Sequence, residues 1–270
     1  MNKAPTPCTA TFAPSDKDVP SRLSSLLKNG IDEAIQSIKD EYLRLDDPTY
    51  SDISGRYEQC LFRLYEAKHF AIRGLPELDT NAYVLDDKYR ESVASKLSRL
   101  FDSDYAQSEY ALAVELVSKK RFDEASIHFY NAAVHGHTEA QYSYGVSISS
   151  GDGGKTDLTE AAFWYFTSAK KGCKDAMISL AIVYNSAMGV ILNKYMTAYW
   201  YAMAAKHLVP YGAYNLGNVL ICEDIVKGHA AAGRQLKLCA ERLTGEVFEE
   251  YVQEKANLVI ELIASHTFNI

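Results

Sequence analysis

The sequence predicts an all-α protein, most of it a solenoid of stacked helical hairpins, and three observations predict that class. Apolar residues recur at helical spacing from about residue 21 to the C-terminus. No segment sustains the period-two alternation of a half-buried strand. From about residue 104 the side-chain types themselves recur every 36 positions, the mark of a repeat architecture.

Taken in chain order, Pro5, Pro7, Pro14 and Pro20 fall among Ser, Thr and Asp, so residues 1–20 are expected to form a flexible lead-in. Ser21 can cap a first turn carrying Leu23, Leu26 and Leu27, closed by Asn29 and Gly30. Ile31, Ala34, Ile35, Ile38 and Tyr42 mark the next helix, ending before Asp46, Asp47 and Pro48. Tyr57, Cys60, Leu61, Leu64, Tyr65, Lys68 and Ile72 mark another, stopping near Gly74 and Pro76. A fourth is expected from about Asp87 to Phe101, which completes an N-terminal helical region over 21–103.

The repeats occupy 104–244. Ala140, Ala176 and Gly212 stand 36 apart, as do Gly145, Ala181 and Gly217, and Ala133, Ala169 and Ala205; the same offset relates Trp164 to Trp200 and Tyr165 to Tyr201. Small residues recur where helix backbones approach closely, and aromatics where the gap between helices needs filling. In the clearest unit the first helix is expected over about 138–150 and the second over about 157–171, with Asp157 and Glu160 forming a capping pair and Gly172 taking the left-handed position past the end.

Between those helices lies SSGDGGKT, residues 149–156, which matches a phosphate-binding loop at Gly154, Lys155 and Thr156 but has Ser149 where the first glycine belongs. Such a loop follows a strand, whereas this one joins two amphipathic helices. One period later the stretch is NSAMGVIL, which keeps a glycine at Gly189 and drops the lysine and threonine. The glycines therefore read as turn formers.

The unit resembles the Sel-1-like repeat. One copy supplies Ala140, Tyr144, Gly145, Ile148, Gly151, Gly153, Asp157, Ala161, Trp164, Tyr165, Ala169 and Gly172, and the next Ala176, Leu180, Ala181, Tyr184, Gly189, Val190, Trp200, Tyr201, Ala204 and Ala205. A degenerate copy precedes them at 108–136, with a connecting turn two residues shorter, and another follows near 212–244. The resemblance implies a right-handed α/α superhelix related to tetratricopeptide arrays, serving as a scaffold for a protein or peptide partner. Some secreted relatives carry a disulfide in every repeat; the five scattered cysteines here lack that pairing, so the resemblance implies a cytoplasmic bacterial protein, or one delivered without a classical signal peptide.

With Ala140, Tyr144, Gly145 and Ile148 facing inward, the opposite stripe of that helix is Tyr142, Val146 and Ser149. Its equivalents are Ile178, Ile182 and Asn185, then Tyr214, Asn218 and Ile221. In this family the stripe lies on the concave side, where aromatic, aliphatic and amide groups suit a bound polypeptide segment, unless flanking helices cover it. Trp164 and Trp200 are expected in the core.

Other chemistry finds little support. A net charge of −7 opposes a nucleic-acid partner, and no apolar run approaches the roughly 18 residues of a membrane span. His135 and His137 straddle a glycine where a helix ends, which fits a turn and not a metal pair, and no catalytic, cofactor or metal constellation emerges. The competing reading is a small-ligand-binding or cell-wall-related hydrolytic repeat protein, or an enzyme using 21–103. The final helix, Gly245 to His266 within the segment 245–270, is expected to cap the last repeat.

Overall fold

The computed structural model of the chain describes residues 27, 30–44, 51–72, 86–97, 103–152, 154, 156–222, 230–242 and 246–266. The expected lead-in, the turn around Leu23 and Leu26, and residues 98–101 of the fourth expected helix lie outside them. Twelve helices are present among the described residues, and no strand. Three precede the array: α1 (Ile31–Tyr42), α2 (Ser51–Ile72) and α3 (Asp87–Leu97).

Four hairpins follow: α4 (Ser103–Ser118) with α5 (Phe122–Val134), α6 (Thr138–Ser150) with α7 (Leu158–Lys170), α8 (Lys174–Ser186) with α9 (Lys194–Lys206), and α10 (Pro210–Cys222) with α11 (Ala230–Arg242); α12 (Glu246–His266) closes the chain. Each array helix packs on the one before and the one after it, so the described residues form an all-α solenoid of helical hairpins.

The recurring small residues mark where those helices touch. A side chain on Gly145 would put its Cβ 2.8 Å from the Tyr165 ring, and one on Gly217 would meet the Gly233 carbonyl at 2.6 Å; both are contacts within a hairpin. A Cβ on Gly212 would meet that of Ala204 at 2.7 Å, a contact between hairpins. Trp164 and Trp200 are buried core, as expected.

Local signals set the helix ends. Asp157 accepts from the Thr159 and Glu160 amides at 3.1 and 3.0 Å, and Asn193, one period on, accepts from Met196 at 3.0 Å. His137 caps α6, its ring accepting from the Ala140 amide, and His135 ends α5, so HGH is a turn. The stretch SSGDGGKT runs from the last turn of α6 through Gly151 and Gly154, both left-handed, with no strand before it; Gly153 and Lys155 are outside the described residues. Residues 119–121 connect α4 to α5, against 151–157 and 187–193 in the next two hairpins, so the first turn is four residues shorter and not two. A turn this short needs only one left-handed residue, Lys120, to reverse the chain.

The α1–α2 pair docks on α7 and on the turn before α9. Tyr42 accepts from the Ile191 amide at 3.0 Å and donates to Glu58 at 2.8 Å; Tyr184 also donates to Glu58. Lys39 meets the capping carboxylate of Asp157 at 2.7 Å. Phe62 and Tyr65 pack on Phe163, and His69 on Trp164. Helix α12, expected over the last repeat, lies chiefly along α9, burying Val252, Ala256, Val259 and Ile263, with a smaller contact on α11.

Candidate functional site

The expected stripe on the first helices of the second to fourth hairpins is partly open to solvent. Val146, Ile182 and Ile221 keep 38%, 37% and 37% of their surface exposed, Asn185 is exposed, and Tyr142, Ser149, Ile178, Tyr214 and Asn218 are half-buried. These nine positions were all expected on the stripe. The docked α1–α2 pair holds to α7, Tyr184 and Ile191, and α12 to α9, so neither is fixed through Val146 or Ile182.

The stripe has a further rung that the sequence reading missed. Tyr142 leans on Tyr165 with ring centroids 5.8 Å apart, and Lys237 sits 4.7 Å over the Tyr214 ring; the members of both pairs are 23 positions apart (165−142 and 237−214). In the first hairpin the corresponding pair is Tyr110 and Phe129, at 5.9 Å and 19 positions apart. The difference of four is the shortening of the turn, so Tyr110, Val114 and Val117 are the equivalents of Tyr142, Val146 and Ser149. Val114 and Val117 are 47% and 39% exposed. Aligning the repeats on the inward Ala113 and Gly145, instead of on overall length, would have found them.

The four rungs make a ladder of twelve side chains, none charged, in a chain that is 23% charged. Six of its twelve side chains carry a polar atom, and one is committed: the Ser149 hydroxyl lies 3.0 Å from that of Tyr165 and bonds the Val146 carbonyl, and burial raises the Tyr165 phenol above its ordinary value. What the ladder offers is aliphatic and aromatic surface with amide and phenol edges, suited to the uncharged core of an interface.

On the other side of α7, the docked pair encloses a second feature. A cavity of ≈ 640 Å³ lies between α2, α3 and α7, with Glu58 among the residues that line it. Burial raises the Glu58 carboxyl above the ordinary carboxylate range, against the lowering effect of the two phenols that donate to it.

No family model matches the chain, and no curated protein does. Among solved structures, it is similar to a Sel1 repeat protein from Oxalobacter formigenes, with 19% identity and a TM-score of 0.49 over 65% of this chain and 80% of that one. It is also similar to c5321, a protective antigen present in uropathogenic Escherichia coli strains and displaying an SLR fold, with 16% identity and a TM-score of 0.43 over 93% of this chain and 48% of that one. The hairpin order in this chain is carried by its own contacts and its 36-residue register.

Proposed function

We propose that this chain is a non-enzymatic scaffold that holds a partner protein or peptide along the ladder from Tyr110 to Ile221. The observation that supports it is the ladder itself: five aliphatic side chains between 37% and 47% exposed, on the first helices of four successive hairpins, with no charge among twelve positions. Exposed aliphatic side chains repeated in register along an array are the kind of surface that marks an interaction site. Its partner presents an apolar stripe, as an amphipathic helix or extended segment does, with hydrogen-bonding groups for Tyr142, Asn185, Tyr214 and Asn218.

The test is a double substitution, Val146→Glu with Ile182→Glu, compared with the unaltered chain by affinity purification from the cell that makes it. Both positions face solvent, so stability should change by no more than about 0.5 kcal/mol each. A partner recovered with the unaltered chain should be lost with the double variant. Recovery of the same partner at undiminished level would overturn the reading.

A further inference from the structure

The cavity between α2 and α7 has the chemistry of a ligand site of its own, separate from the ladder. Its floor is aromatic: Phe62 stands 5.8 Å from Phe163 and 5.1 Å from Phe166, and Phe166 rests on Trp200 at 6.0 Å. Its rim is basic. Arg63 and Arg90 meet the same oxygen of Asp87, at 3.0 and 3.2 Å, and Lys170 stands 5.3 Å over the Phe166 ring. Asp87 itself is 72% exposed, so water screens its pairing with the two guanidinium groups.

The balance of charge sets the sign and size of the guest. Four basic groups line the cavity (Arg63, Arg90, Lys170, Lys171) against three acidic ones (Glu58, Glu66, Asp87). About one positive charge is left over, in a chain whose net charge is −7. That excess matches a single carboxylate better than a doubly charged phosphate. The volume lies within the roughly 300–1,000 Å³ of small-molecule sites.

We propose that this cleft binds a small aromatic carboxylate, its ring against Phe62 and Phe166 and its carboxylate between Arg90 and Lys170. Ring stacking on the phenylalanines supplies the apolar contact, and the guanidinium and ammonium select for the anion.

Calorimetric titration of the intact chain with 2-naphthoate, and with the neutral 2-naphthylmethanol as its isostere, tests this. The naphthoate should bind saturably, one per chain, at least about tenfold more tightly than the alcohol, as one desolvated charge pair would give. The Arg90→Ala/Lys170→Ala double variant should lose at least about tenfold in naphthoate affinity, while the Val146→Glu/Ile182→Glu variant should keep it. Absence of saturable binding, equal affinity for acid and alcohol, or an undiminished Arg90→Ala/Lys170→Ala variant would each overturn the assignment. Should that variant fail to fold, the comparison of the two probes on the unaltered chain decides alone.

Discussion

A half-buried carboxyl and a single turn show how individual side chains govern this molecule. Glu58 accepts from Tyr42 and Tyr184, and burial raises its carboxyl above the usual glutamate range. A carboxyl raised in the fold adds its full stability below the unfolded-state value of about 4.3, and that contribution fades as the pH climbs through the folded-state value. Thermal melts from about pH 4.5 to about pH 8 should therefore show the unaltered chain losing ground to Glu58→Gln as the pH rises. A melting-temperature difference that stays flat, or moves the other way, would show that the carboxyl carries no such linkage. The turn at 187–193 makes an independent prediction with opposite signs two residues apart. Ala187 holds a left-handed φ of 52°, where the preceding hairpin has Gly151, so Ala187→Gly should stabilise by about 1 kcal/mol. Gly189, also left-handed, lies so close to Leu158 that an added Cβ would stand 2.3 Å from backbone, so Gly189→Ala should cost roughly 2–4 kcal/mol. Denaturant titration measures both, and a stabilised Gly189→Ala would refute the geometry. The Asp157 cap was readable from its spacing to Glu160. Ala187 and Leu208 were not readable as left-handed positions, because nothing in an alanine or a leucine signals the strain that the register imposes on it.

Helices were more legible than the way they meet. Helical periodicity placed α1, α6 and α7 within one or two residues of their observed ends, since amphipathic spacing and caps are local properties, whereas α2 begins at Ser51, ahead of the first apolar position counted for it, Tyr57. The length of the first turn was misjudged because its copy lacks the glycines that anchor the alignment. The seat of α12 was not legible either: an apolar stripe says that a helix must be covered, not by what. Val252, Ala256, Val259 and Ile263 bury that stripe chiefly on α9, so truncation after Thr244 uncovers a face in the third hairpin and not only the end of the array. Losing four buried side chains, each worth about 1–3 kcal/mol, should sharply lower the melting temperature and the soluble yield. A truncated chain that melts unchanged as a monomer would deny α12 that role.

Seen whole, the array follows a one-dimensional rule, each hairpin touching its neighbours, and the 36-residue period announced this before any coordinate did. The two candidate sites differ in legibility for the same reason. The ladder repeats, so nine of its twelve positions could be counted off the sequence. The cleft joins Phe62, Arg63 and Arg90 to Phe166 and Lys170 across about a hundred residues, and no periodicity links them. That long-range docking has a kinetic side. Tyr42 binds Ile191 and Glu58 binds Tyr184, so the α1–α2 pair can seat only after the second and third hairpins have come together. Repeats that could otherwise fray one by one are thereby fastened by an element made earlier on the chain than its own anchorage, and the middle of the solenoid gains the all-or-none character of a globular domain while the outer hairpins stay free to open first.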